Sequence, residues 1–148
     1  MKKFFVLAAI AATLVISISS CKKEETTTDL TTDLVGTYIG SVNLGGTATT
    51  NHSVTVTKLT ATRIQITPSN TVASSTFYAD LSTETGGIKL TVINQAAGGG
   101  TIRGNTSLIA GDASANGAYQ TSDKSLSYSV IINAGGSDTP ENYQGFKQ

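Results

Sequence analysis

The sequence of 148 residues contains no Trp, one Cys, one His and two Pro, and charged residues make up only 14% of it. A single Cys excludes a disulfide framework, and one Cys with one His leaves no zinc cluster. Ten Lys+Arg stand against ten Asp+Glu, a formal net charge of zero. No basic stripe for neutralising nucleic-acid phosphates can be built from so few cations. The nucleophile-elbow pattern Gly-x-Ser-x-Gly and the Asp-x-Asp-x-Asp-Gly run of a calcium loop are both missing. What is present is 15 Gly among many Ser and Thr, a composition of strands and turns in one domain.

The charge balance is uneven along the chain. Lys2 and Lys3 precede an uncharged run from Phe4 to Ile18 that ends in Ser19-Ser20, the order of a secretory signal peptide over residues 1–20. The apolar run is shorter than the roughly 20 residues of a membrane-spanning helix. Lys22-Lys23-Glu24-Glu25 and the polar stretch to Asp33 read as a flexible tether over 21–33, because such a composition buries too little apolar surface to offset ordering entropy. Removing Lys2 and Lys3 leaves 8 cations against 10 anions, and removing the tether as well leaves 6 of each from Leu34 onward.

From Leu34 to Gln148 the apolar residues recur with period two, the pattern of strands with one buried face. Val54 and Val56, Ile64 and Ile66, then Phe77, Ala79 and Leu81 form three such sets. Ile88, Leu90 and Val92 form a fourth, and Leu126, Tyr128, Val130 and Ile132 a fifth. Gly45-Gly46, Pro68-Ser69-Asn70, Gly86-Gly87, Gly98-Gly99-Gly100, Ser122-Asp123-Lys124 and Gly135-Gly136 supply the turns between them. The spacing predicts eight or nine strands, near 35–44, 51–59, 62–67, 74–83, 87–95, 101–109, 113–121, 125–133 and 141–147. Asn116-Gly117 is a hairpin signal, but a turn over Gln120 to Lys124 leaves longer flanking strands and is preferred. The fold class is all-β, an antiparallel meander that closes or flattens into a small barrel, with a sandwich as the alternative.

Ile18-Ser19-Ser20-Cys21 resembles a bacterial lipobox, which implies that Cys21 is the lipidated mature N-terminus and anchors the protein in a membrane. Cys21-Lys22-Lys23-Glu24-Glu25 resembles the export tag of surface lipoproteins of Bacteroidota. The resemblance implies an outer-membrane protein on the cell surface, with the periplasmic face as the alternative. Leu34-Val35-Gly36-Thr37-Tyr38 is similar to the Gly-x-Trp opening of lipocalins and other calycins, with Tyr in place of Trp. With Gly117-Ala118-Tyr119, Lys124-Ser125-Leu126-Ser127-Tyr128 and Tyr143-Gln144-Gly145-Phe146-Lys147, it makes residues 34–148 resemble small calycin-like lipoproteins of Bacteroidota.

Two functional readings follow. One is a lipid-anchored calycin-like protein holding a small apolar or amphipathic ligand in the barrel mouth, with Ala79, Gly104, Ala115 and Gly117 as small inward residues beside Phe77 and Tyr128. The other is a non-catalytic surface module that binds protein or glycan, through loops and exposed Tyr38, Tyr78, Tyr119, Tyr128 and Tyr143, since Tyr is favoured at interfaces. No enzyme constellation stands out. His52, the one His, is expected at a strand start as an exposed or hydrogen-bonded group. Asp80 with Glu84, or Asp112 with Asp123, are expected to serve turns and solubility, not acid–base chemistry. Asn51-His52-Ser53 and Asn105-Thr106-Ser107 match the eukaryotic glycosylation pattern, without meaning in a bacterial lipoprotein. No cofactor, metal or nucleic-acid partner is implied.

Replacing Cys21 by Ala is expected to abolish metabolic labelling with a fatty acid and to release the protein from the membrane fraction. Unchanged labelling and fractionation would exclude the lipid anchor.

Overall fold

The computed structural model describes residues 28–69, 76–97, 100–105 and 108–148. Its strands are β1 (Gly36–Leu44), β2 (Thr47–Thr60), β3 (Arg63–Pro68), β4 (Phe77–Glu84), β5 (Gly87–Val92), β6 (Gln95–Ala97), β7 (Gly100–Gly104), β8 (Gly117–Gln120), β9 (Ser125–Ala134) and β10 (Ser137–Lys147). All pair antiparallel in one sheet. The protein is all-β, and the meander closes: β1 to β5, β8, β9 and β10 form a ring of 8 strands in which β10 pairs back with β1. The alternation read from the sequence is the inside of this barrel. Val54, Val56, Ile64, Ile66, Phe77, Ala79, Leu90, Leu126, Tyr128 and Val130 are all buried.

Closure demands a close approach that only glycine permits. Gly40 of β1 lies opposite Gly145 of β10. A Cβ on Gly40 would sit 2.0 Å from the Gln144 carbonyl oxygen and 2.3 Å from the Gly145 Cα. A Cβ on Gly145 would sit 2.1 Å from the Tyr143 hydroxyl oxygen, so the Tyr143 side chain occupies the inner space that Gly145 leaves open. A bulge in β2 faces this crossing: Gly40 pairs with His52 but Val42 with Thr49, and Asn51 takes a positive φ of 56°.

The other seam is divided. On its side away from β10, β9 pairs with β8 along Ser125–Tyr128 and with β7 along Val130–Asn133. At the switch, the Ser129 N–H donates to the Asn116 carbonyl (2.8 Å) and its own carbonyl accepts from Asn105 N–H (3.1 Å). Beyond the end of β5, Ile93 N–H still reaches the Tyr78 carbonyl at 2.9 Å. The Gln95 side chain then takes over the edge of β4. Its Oε1 accepts from Tyr78 N–H (3.0 Å) and its Nε2 donates to the Thr76 carbonyl (2.9 Å), the donor and acceptor pair of a strand residue supplied by an amide.

Several expected boundaries move. The strand expected over 87–95 splits at Ile93–Asn94, and the β6–β7 hairpin follows. The strand expected over 101–109 ends at Gly104, where a Cβ would meet the Asn116 side chain at 2.1 Å. That expected over 113–121 shortens to Gly117–Gln120, because the preceding segment lies across the outside of the barrel. Ile109 bridges Asp112 there, and Leu108 N–H donates to the Ala115 carbonyl. Ala115 is therefore buried in a loop and not in a strand, while outward-facing Ala118 is buried among its neighbours. The turn after β8 falls at Thr121–Lys124, and β10 starts as early as Ser137 because Gly135 and Gly136, both at positive φ, make a two-residue hairpin turn.

Thr28–Asp33 also belong with the barrel, and the boundary read at Leu34 falls inside their turn. Leu30 N–H donates to the Ala61 carbonyl at 2.9 Å, Asp29 pairs with Lys58, and Thr31 and Leu34 are buried. This segment covers the barrel end at which β1 begins and β10 finishes. The remaining tether residues and the whole of 1–20 lie outside the described residues.

Gly40→Ala is expected to cost about 1–3 kcal/mol of stability, the range for overpacking at a site whose neighbours are backbone. Urea denaturation against an exposed control, Ser82→Ala, measures it. A loss no greater than that of the control would show that the β1–β10 crossing tolerates a side chain.

Candidate functional site

The barrel interior is lined by aromatic side chains. Tyr38 and Tyr119 meet edge to face with ring centres 6.4 Å apart. Phe77 meets Tyr128 edge-on at 5.1 Å, and Tyr128 stacks on Tyr143 at 5.1 Å. Four of the five Tyr are buried and only Tyr78 is exposed, so the ring surface expected to serve an interface is turned inward. The Tyr38 hydroxyl donates to the Leu34 carbonyl at 2.6 Å, and the Tyr128 hydroxyl donates to a Glu141 carboxylate oxygen at 2.7 Å. Burial pushes the Tyr143 hydroxyl up to about 12 and raises Tyr38 and Tyr128 as well. All of these phenols are neutral at physiological pH.

His52 departs from expectation. It lies within β2, not at its start, and is 5% exposed against Tyr143, ring centres 6.0 Å apart. Among the described residues neither ring nitrogen has a hydrogen-bond partner, and neither does the Tyr143 hydroxyl. Burial lowers the His52 pKa, so its imidazole is neutral at pH 7. Among the described residues no serine hydroxyl or carboxylate is hydrogen-bonded to it, as a Ser-His-Asp relay requires. Glu141, which the sequence reading overlooked, is buried at the same end. Its signal was available: it shares the parity of Tyr143 and Gly145 on β10. Burial raises its pKa, against the lowering effect of the Tyr128 hydrogen bond.

The acidic pairs considered for glycoside chemistry are each drawn to other partners. Asp80 forms a two-point pair with Arg63 on β3, at 2.7 and 3.1 Å. Asp112 pairs with Lys89 at 2.6 Å, and this with the Ser114 hydrogen bonds holds it at about 2. Asp123 accepts from Ser125 N–H and hydroxyl, which lower its pKa. Among the described residues no three His, Cys, Asp or Glu side chains gather to hold a metal. Gly104 and Gly117 give space to neighbours, the Asn116 side chain and the Leu90 and Tyr128 side chains respectively. Cys21 and Lys22–Glu25 lie outside the described residues, as do Thr106 and Ser107.

A concave surface is present on the outer wall. An open groove of about 330 Å³ runs over β1, β10 and β9, lined by Ser41, Asn43, Asn142, Gln144 and Ser127, with Leu108 as its raised edge. The register places Asn43 beside Asn142 and Ser41 beside Gln144. Asn43 Oδ1 accepts from Gly46 N–H at 3.0 Å, and Asn142 Oδ1 accepts from the Ser129 hydroxyl at 2.6 Å. Two residues along the same face, Phe146 is 50% and its neighbour Ile39 39% exposed. Among the described residues no charged side chain lines the groove.

No family model, curated protein or solved structure matches the chain.

Buried His52 and Glu141 set opposite pH dependences. A depressed folded pKa for His52 means that the unfolded chain binds the proton first, so stability falls as pH drops below the ordinary imidazole value of 6.5. A raised folded pKa for Glu141 gives stability that is fully present below 4.5 and is lost as pH rises through the folded value. His52→Leu is expected to flatten the fall between pH 7 and 5. Glu141→Gln, which keeps an acceptor for Tyr128, is expected to gain on the native protein more at pH 8 than at pH 4.5. Thermal melts across that range test both, and parallel curves for native and variant proteins would remove these groups as the cause.

Proposed function

We propose that the chain is a lipid-anchored cell-envelope lipoprotein whose calycin-like barrel is a non-catalytic interaction module, working through its outer wall. The observation that carries this reading is the occupancy of the interior by Tyr38, Phe77, Tyr119, Tyr128 and Tyr143 with their aliphatic neighbours. A barrel of eight strands is just wide enough to be filled by its own side chains, and a filled barrel offers its outside. The alternative, a small apolar ligand held in the mouth, has the unpartnered His52 and Tyr143 groups in its neighbourhood, and these favour a polar guest over an apolar one.

Anchoring at Cys21 supports the same geometry. Six residues lie between it and Thr28, so the two positions can be no more than about 25 Å apart along an extended chain. The barrel end covered by Thr28–Leu34 would then face the lipid, and the side wall would stand clear of it. Display on the cell surface, supported by the resemblance of Cys21–Glu25 to an export tag, places that wall outside the cell. No cofactor enters this reading.

Native mass spectrometry of the full chain released from detergent is expected to give the polypeptide mass without a stoichiometric small molecule. An apolar compound retained one to one would transfer the proposal to the ligand-carrying alternative. Protease shaving of intact cells is expected to digest the native protein and to spare a variant with Lys22, Lys23, Glu24 and Glu25 all changed to Ala. Equal protection of both would place the protein on the periplasmic face.

A further inference from the structure

We propose that the groove over β1, β10 and β9 binds a neutral oligosaccharide, a reading that rests on the outer wall being the working surface. A neutral sugar offers two kinds of surface: hydroxyls that both donate and accept hydrogen bonds, and ring faces whose C–H groups are apolar. A site for it therefore combines planar amides and hydroxyls with an exposed aromatic ring, whose negative π face suits weakly positive C–H groups.

The groove carries that combination. Asn43 and Asn142 sit side by side with their side-chain oxygens already engaged by Gly46 N–H and the Ser129 hydroxyl. With both oxygens engaged, the donors these two residues have to offer are their Nδ2 groups. Gln144 and Ser41 form the next rung, where an exposed amide supplies both donor and acceptor. Phe146, 50% exposed and two residues further on the same face, lies about 7 Å beyond Gln144 and continues the site with an apolar platform backed by Ile39. Leu108 forms a wall on the opposite flank.

Charge selects the ligand class. Among the described residues no carboxylate or cation lines the groove, so an acidic sugar or a phosphate would lose its hydration without gaining a counter-charge. A neutral saccharide loses nothing comparable. The groove volume of about 330 Å³ falls at the lower end of the roughly 300–1,000 Å³ of small-ligand sites, and its openness along the wall suits a chain passing through.

The test uses the full chain in a sugar-free zwitterionic detergent, titrated calorimetrically with maltohexaose, cellohexaose, xylohexaose and mannohexaose, with an oligogalacturonate as the charged comparison. Binding of at least one neutral hexasaccharide is expected, with no binding of the galacturonate. Phe146→Ala and Gln144→Ala are each expected to weaken it tenfold or more, and Ser82→Ala on β4 to leave it unchanged. On titration, the side-chain amide signals of Asn43 and Asn142 are expected to shift in nitrogen-15 spectra. Failure of all four neutral probes, or binding that survives both variants, would overturn the proposal. So would a concentration-dependent dimer that Phe146→Ala dissolves without any sugar binding, since the face would then belong to a second copy. Shortened oligosaccharides after incubation would overturn the non-catalytic reading separately, and the groove variants would still report whether this wall held the sugar.

Discussion

The barrel depends on the crossing of β1 and β10 at Gly40 and Gly145. The two backbones approach so closely there that a Cβ on Gly40 has no room, being 2.0 Å from a carbonyl oxygen. That approach lets the last strand pair with the first over Tyr38–Leu44 and Glu141–Lys147, which removes both free edges of the meander. An unclosed sheet of this length would expose a row of unpaired backbone groups. The same crossing organises the interior. The Tyr143 side chain fills the space beside Gly145, Tyr128 stacks on it, Phe77 packs edge-on against Tyr128, and His52 meets the other side. Side-chain bulk missing from two strands is supplied by aromatics of their neighbours.

A second constraint follows from closing a ring with strands of unequal length. β5 and β8 are too short to reach the end at which β9 finishes, so β9 changes partner at Ser129, and the β6–β7 hairpin completes the wall. Every backbone group freed at the change must find a partner, because burial without one costs about as much as a lost hydrogen bond. Asn116, Asn105 and Gln95 meet that demand. The loop that delivers Asn116 crosses outside the barrel, buries Ala118, and raises Leu108 as the rim of the outer groove.

The all-β class and the inward residue sets were legible because period-two alternation is a local property; the exact partner of each terminal strand was not, because that pairing joins residues about a hundred apart in sequence. His52 was misplaced, although it shares the parity of Val54 and Val56 and so belongs to the inward set. Placing the strand start at residue 51 hid it, while the Gly45-Gly46 turn starts β2 at Thr47 and carries His52 into the wall. The role of Gln95 was not legible, because an amide standing in for a strand has meaning only beside the unpaired edge of β4. The outer groove was hidden for a related reason. Its Asn, Gln and Ser residues read as ordinary solvent-facing positions, and they become a site only when the register sets Asn43 beside Asn142 and Ser41 beside Gln144.

The distribution of charge supports the choice of this wall for the proposed site. Zero net charge does not mean uniform neutrality: Arg63 pairs with Asp80 on β3 and β4, Lys89 of β5 with Asp112 of the crossing loop, and Arg103 of β7 with Asp138 near the β9–β10 turn. These pairs are partly or well exposed, where an ion pair adds little stability, so their main effect is to keep those parts of the surface hydrated. The groove over β1, β10 and β9 is lined instead by amides, hydroxyls and Leu108, with Ile39 and Phe146 exposed beside it. Amides and hydroxyls release water more cheaply than ions do. A partner therefore meets its lowest desolvation cost where the wall is also concave, and a surface recruited from this barrel for a neutral polar ligand would arise there.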